Sequence, residues 1–286
     1  MVDLDAAVES AHVRIPLGSD LALHALVRAG GDAIQFLFVH GLASNARLWD
    51  EVADAVAAAG HGSIAVDQRG HGRSSKSDDG YDFATLAGDL AAVIDAMVAC
   101  PVIAVGQSWG ANVVLELAAR LPDRVAGLGL VDGGFIRLSE TFSSWDEAQT
   151  ALAPPSFDHL TPPQLEVMIR RHLPGFSDTA VAAQLANFEE IPGGTVRARL
   201  RRDNHMAILR QLWEHDPDAI VRDMQIPIRL IAVNGDGPSQ PDRVAAFASA
   251  AGAITVHRVE GHHDIHAEQP QVVADILIEL AGEVGS

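Results

Sequence analysis

Short apolar runs alternate with helical periodicity over the first half of the chain. Ile34-Gln-Phe-Leu-Phe-Val39, Ser63-Ile-Ala-Val66, Pro101-Val-Ile-Ala-Val105 and Gly127-Leu-Gly-Leu-Val131 have the length of strands. Runs this continuous suit strands buried on both faces of a parallel sheet covered by helices. Between them, Phe83, Leu86, Leu90, Val93 and Met97 recur at three- and four-residue steps, as do Val114, Leu117, Ala118 and Leu121, which predicts amphipathic helices. Ahead of these, His12–Pro16 and Leu21–Val27 flank Gly18-Ser19-Asp20 and predict a hairpin.

The pattern breaks at about Phe135. From there to Val221 no buried strand is predicted, and helix-compatible sequence is cut by Pro154-Pro155, Pro162-Pro163, Pro174 and Gly193-Gly194. Alternation resumes after Pro227 with Ile228–Val233, a helical stretch near Arg243–Ala251, Ile254–Val259 and a last helix from about Gln271 to Leu280. The expectation is an α/β core formed by residues 1–134 and 222–286. A helical insertion, residues 135–221, is expected to sit over the strand ends as a lid and to shape a pocket.

Composition narrows the functional classes. The chain has 286 residues, 48% of them hydrophobic and 20% charged, and a net charge of −18. That charge repels phosphate backbones, so no nucleic-acid partner is expected. The single cysteine, Cys100, excludes an internal disulfide and reads as a small buried hydrophobe before a strand. Met1–Ser10 has neither a basic nor an apolar segment of the secretory kind, and the apolar runs are too short to cross a bilayer. A cytoplasmic protein with no membrane association and a small-molecule substrate is expected; the sequence is silent on oligomeric state.

The chemistry begins at Gly106-Gln107-Ser108-Trp109-Gly110, which follows the run Pro101–Val105 and precedes the helix expected from Ala111 to Leu121. G-x-S-x-G between a strand and a helix is the setting of a nucleophile elbow. The sharp turn strains the backbone at Ser108, and small residues at Gly106 and Gly110 let neighbouring backbone approach. A serine hydroxyl needs a base to take its proton. Gly261-His262-His263-Asp264-Ile265-His266 lies after the last strand, on the sheet edge where the elbow opens, and its spacing matches no zinc pattern. The base in turn needs a carboxylate. Asn234-Gly235-Asp236-Gly237 ends the strand Ile228–Val233 and favours Asp236; Asp132, at the end of Gly127–Val131, is the alternative. The oxyanion donors expected are the backbone N–H of Trp109 and that of Leu42, in the turn His40-Gly41-Leu42, where His40 supports the loop and Gly41 permits unusual backbone.

With these residues in place the chain resembles the α/β-hydrolase family, in its lidded esterase and C–C hydrolase branch. The resemblance rests on His40-Gly41 with Trp49, Asp67-Gln-Arg-Gly-His-Gly-Arg-Ser74, the elbow, and His263-Asp-Ile-His-Ala-Glu-Gln-Pro270. It implies a mostly parallel eight-stranded sheet flanked by helices, a lid after strand 6, a Ser108–His263–Asp236 triad and no cofactor or metal. It also selects His263 over His262. Val233 stands where relatives place a glycine before the acid. Ser108-Trp109-Gly110 and Asp67-Gln-Arg-Gly70 look like proline iminopeptidases, whose His-Gly-Gly-Pro-Gly turn is replaced here by His40-Gly-Leu-Ala-Ser44. Epoxide hydrolases and haloalkane dehalogenases are similar too, but use an aspartate where Ser108 stands. The resemblance implies a carboxylic ester hydrolase working through an acyl-enzyme. The alternatives are a proline iminopeptidase, a C–C hydrolase of a diketone, and a non-catalytic binding protein on the same scaffold. In the insertion, Phe142, Trp145, Phe157, Phe176, Phe188 and Trp213 read as lid core before pocket wall. Arg197, Arg199, Arg201 and Arg202, near His205, read as a solvated helix face before a contact to an acidic group on a substrate.

Overall fold

The computed structural model describes residues 10–285, apart from 19, 32–34, 235–237 and 239. Its strands are β1 (Ala11–Pro16), β2 (Ala22–Arg28), β3 (Gln35–Val39), β4 (Ser63–Asp67), β5 (Val102–Gln107), β6 (Val125–Val131), β7 (Phe188–Ile191), β8 (Thr195–Ala198), β9 (Ile228–Asn234) and β10 (Ile254–Glu260). Eight of them form one sheet in the order β1-β2-β4-β3-β5-β6-β9-β10, while β7 and β8 pair only with each other. The hairpin β1–β2 is antiparallel, with Ala11 opposite Val27, and β2 runs antiparallel to β4. Every later neighbour in the sheet is parallel.

The near-continuous apolar runs follow from this topology, because alternate side chains feed two separate cores. Leu37, Val39, Ala104, Leu128 and Leu130 point to one face, packed by the helices Phe83–Met97 and Trp109–Arg120. Phe36, Phe38, Ile103, Val105 and Val131 point to the other, under the helices Asp50–Ala58 and Pro270–Val284. Burying each such side chain contributes about 1.5–3 kcal/mol. The helix Phe83–Met97 starts where the Asp82 side chain accepts from Thr85 N, a cap whose loss costs about 1 kcal/mol. Cys100 departs from expectation: it is exposed, because it lies in the surface link before β5, ahead of the residues that enter the core.

The insertion connects β6 to β9 and is mainly helical. Its longest helices are Pro162–His172 and Arg202–Glu214. The first begins with a capping box between Thr161 and Gln164 and proline at the first helical position, where no N–H is needed. The hairpin β7–β8 was not expected from the sequence. Its strands are mostly half-exposed, so they lack the apolar run that marks a buried strand, and its turn uses Gly193 and Gly194 at φ 111° and 79°. The insertion is pinned to the core by polar bonds. Asn45 Nδ2 donates to Ala183 O at 2.8 Å and to Asn187 Oδ1 at 2.6 Å, and Asn204 Nδ2 donates to Ser77 O and the Tyr81 hydroxyl oxygen. Among the described residues no helix is long and apolar enough to cross a membrane.

Candidate active site

Ser108 sits between β5 and the helix Trp109–Arg120 with φ 53° and ψ −124°, a region that L-residues rarely enter. The surrounding glycines allow it. A Cβ on Gly106 would lie 2.3 Å from Gly110 O, and one on Gly110 would lie 2.4 Å from His40 O. A Cβ on Gly133 would meet Ser108 O at 2.2 Å. Three backbone segments therefore converge on the elbow at distances only glycine permits. The strained turn is tied down on the β6 side, where Ser108 N donates to Val131 O at 2.9 Å.

The β5–β6 register places Gln107 opposite Val131, so Ser108 and Asp132 leave adjacent strands at the same edge. Asp132 is fully buried with φ 44°. Its Oδ1 accepts from Val233 N at 3.2 Å and its Oδ2 meets His263 Nδ1 at 2.5 Å. Asp132, the alternative acid, reaches the histidine. Asp236 lies outside the described residues. Strand order places Asp132 there: β6, which it follows, is the direct neighbour of β5.

The loop carrying His263 is held from several sides. Gln107 Nε2 donates to His263 O at 3.1 Å, Glu268 Oε2 accepts from His262 N at 2.5 Å, and Gln269 Nε2 donates to Glu260 O at 2.7 Å. Burial favours the neutral imidazole, but the Asp132 hydrogen bond and the Asp264 and Asp132 charges outweigh it, so the His263 pKa is raised. With Nδ1 engaged, Nε2 is the ring nitrogen left for chemistry. Gln107 is a positioning residue that the sequence did not single out; its place inside G-x-S-x-G was the only signal.

The turn after β3 is set by His40. His40 Nε2 accepts from Gln68 N at 3.0 Å, so the neutral ring carries its proton on Nδ1, which donates to Gly41 O at 2.7 Å. Burial lowers the His40 pKa and keeps the ring neutral. A trans peptide points its C=O and N–H in opposite directions. Fixing the Gly41 carbonyl on His40 therefore turns the Leu42 N–H away from His40. His71 supports the next residue in the same way: its Nε2 accepts from Ala43 N at 3.3 Å and its Nδ1 donates to Arg69 O at 3.0 Å. Trp109 begins the elbow helix, so its N–H has no acceptor within that helix.

Leu42, Ser108, Trp109 and His263 line one cavity of about 500 Å³. The rest of its wall is largely apolar, including Phe135, Leu138, Phe142, Leu152, Leu209 and Leu212, so Phe142 is pocket wall as well as lid core. Trp145 and Trp213 instead pack edge-to-face on each other, 6.1 Å apart. Two arginines reach the cavity that sequence reasoning missed. Arg243 is bidentate to Asp218 at 2.8 Å for both bonds, and Arg137 lies 3.2 Å from both Glu140 and Asp216. Acidic partners thus neutralise both cations. Among the described residues no three His, Cys, Asp or Glu side chains group to hold a metal ion.

The chain belongs to the α/β-hydrolase fold family, whose model matches residues 35–191. It is 31% identical over 185 residues to a haloalkane dehalogenase of Mesorhizobium japonicum, covering 64% of this chain and 54% of that protein. The chain thus spans about half the length of that relative. It is 28% identical over 282 residues to an esterase of Mycobacterium tuberculosis, covering 92% of this chain and 87% of the esterase. Among solved structures, an E-2-(acetamidomethylene)succinate hydrolase superposes with a TM-score of 0.80, covering 96% of this chain and 100% of the other, at 22% identity. At that identity the likeness carries the fold.

Proposed function

We propose that the protein is a serine hydrolase of esters with an uncharged acyl group, with Ser108 as nucleophile, His263 as base and Asp132 as the carboxylate that orients it. The observation that carries this reading is the bond from His263 Nδ1 to the buried Asp132, on a strained Ser108 that shares one cavity with His263. His263 Nε2 takes the hydroxyl proton as Ser108 Oγ adds to the carbonyl carbon. The oxyanion is held by the N–H groups of Leu42 and Trp109, fixed in advance by the His40 bond and the helix start. The tetrahedral adduct collapses with loss of the alcohol, which takes the proton from His263. Water, deprotonated by His263, then releases the acid and restores Ser108.

Serine at position 108 favours acyl transfer over the chemistry named for the dehalogenase and epoxide hydrolase relatives. The apolar wall and the neutralised Arg137 and Arg243 favour an uncharged acyl group. The test is hydrolysis of p-nitrophenyl butyrate and of the matching hemisuccinate ester by the native protein and by Ser108→Ala. Turnover of the butyrate that falls by about 10⁴-fold or more in the variant supports the reading. Equal rates in the two proteins would sink the serine mechanism, and a preference for the hemisuccinate would overturn the uncharged-acyl assignment.

A further inference from the structure

Two further cavities extend from the one that holds Ser108, each sharing wall residues with the next. The second, about 270 Å³, shares Leu152 with the first and is walled by Ala43 and His71 of the core and by Phe157 and Phe188 of the insertion. The third, about 590 Å³, shares Pro154, Phe157, Arg199 and Leu200 with the second. Its outer wall includes exposed side chains such as Lys76 and Arg202.

That third cavity is basic on a chain whose net charge is −18. Lys76 and the arginines at 197, 199, 201 and 202 outnumber Asp158, Glu189 and Asp203 in its lining. The arginines do not form the solvated helix face expected from sequence: Arg197 is on β8, and only Arg202 enters the following helix. Arg197 and Arg199 share Glu189, and Arg201 pairs with Asp78. Lys76 and Arg202 are different. Lys76 Nζ donates to the carbonyls of Gly70 and Gly72 at 3.1 and 2.9 Å, and Arg202 Nη1 donates to Pro154 O at 2.9 Å. Carbonyls position a cation without cancelling its charge. Among the described residues neither side chain forms an ion pair, so two oriented charges face the cavity ready for an anion.

Cleavage at Ser108 divides a substrate into an acyl part and a leaving group. The first cavity suits the acyl part; the second, smaller and mostly apolar, shares Leu152 with it and continues into the basic one. We propose that these two further cavities take the leaving group, and that Lys76 and Arg202 bind a phosphate in the basic one. The substrates are then acyl esters or thioesters of a long phosphorylated alcohol or thiol. In hydrolysis the bond from acyl carbon to the leaving oxygen or sulfur breaks, a bond to water oxygen forms, and the leaving group departs with one proton. No other reactant is consumed. The proposal rests on the reading of Ser108 as nucleophile, but its test does not require turnover.

Pantetheine and 4′-phosphopantetheine differ only in the phosphate, and each is titrated calorimetrically into the Ser108→Ala protein at fixed salt. The phosphorylated compound should bind about tenfold tighter, the scale of a charge-assisted contact. In a Lys76→Gln/Arg202→Gln background that preference should fall to near unity. Arg202→Gln alone should remove part of it while leaving the Lys76 bonds to Gly70 and Gly72 in place. Inorganic phosphate should compete with the phosphorylated compound. Equal affinity for the two compounds, or a preference that survives the double substitution, overturns the proposal. Inorganic phosphate that binds while phosphopantetheine gains nothing over pantetheine would make this a free-anion site and also overturn it. Failure of the serine mechanism would appear only in the ester assay.

Discussion

Ser108, Asp132 and Ala43 are the described non-glycine residues with positive φ, at 53°, 44° and 57°. Each such conformation costs on the order of 1–3 kcal/mol and persists because neighbouring structure over-determines it. All three border the same edge: the elbow, the turn after β6 and the turn after β3. Asp132 supports the sharpest prediction at this scale. Asp132→Asn keeps the oxygen that accepts from Val233 N, so the fold should be retained, but it removes the charge facing His263. The rate constant kcat should fall by about 10³–10⁴-fold. The pH dependence should move as well. As the proposed base, His263 must be neutral to act, and its raised pKa should put the acid limb of kcat/KM above the ordinary histidine value of 6.5. In Asp132→Asn, burial is opposed by Asp264 but no longer by Asp132, so the residual acid limb should shift to lower pH. A limb that stays put would mean that Asp132 does not set the His263 pKa.

Among the elements, two kinds of glycine separate structure from habit. Gly110 stands where any side chain meets the backbone of His40 and Val39 at 2.4 and 2.5 Å. Gly88, inside the helix Phe83–Met97, has nothing within 4 Å of an added Cβ. Gly88→Ala should therefore raise unfolding stability by about 0.5–1 kcal/mol through helix propensity. Gly110→Ala should destabilise or abolish the fold, because the obstacle is backbone and cannot rotate aside. Urea unfolding of the two variants beside the native chain checks both, and the opposite ranking would contradict the packing at the elbow. The sequence pointed to the elbow through G-x-S-x-G between a strand and a helix, a purely local pattern. It gave no sign of β7–β8, since two short, half-exposed strands leave no periodic trace.

Across the whole molecule, buried histidines weigh on acid stability, and one of them lies outside the candidate triad and its supporting turns. His266 is fully buried against the Trp49 ring, 4.3 Å between centroids, and neither ring nitrogen has a hydrogen-bond partner among the described residues. Burial holds its pKa down to about 4. A folded value below the unfolded one gives stability that is present above pH 6.5 and lost as pH falls through about 4. The loss is about 3 kcal/mol at about 1.4 kcal/mol per unit. His266→Phe retains an aromatic ring beside Trp49 and should lessen the slope of the stability profile between pH 6.5 and 4, measured by denaturant midpoints, with burial of His40 and His71 supplying the slope that remains. A variant as acid-sensitive as the native chain would show that the protonation lies elsewhere.

The amino-acid sequence by itself determined the α/β class, the break at Phe135, the serine on its elbow and the His263 loop, because each is written in residues close together along the chain. Hydrophobic period, proline and glycine punctuation and G-x-S-x-G all act within one or two elements. The carboxylate that meets His263 was different. Asp132 and Asp236 both follow apolar runs; the sequence favoured Asp236, which lies outside the described residues. The order of strands in the sheet brings Asp132 beside Ser108, and a loop 131 residues away in sequence brings His263 onto it. The arginines from 197 to 202 were likewise visible as a cluster, but their meaning depended on which carboxylates the fold delivers. Arg197, Arg199 and Arg201 meet acids, whereas Arg202 meets a carbonyl. Charge compensation is a long-range contact, so only the tertiary structure decided it.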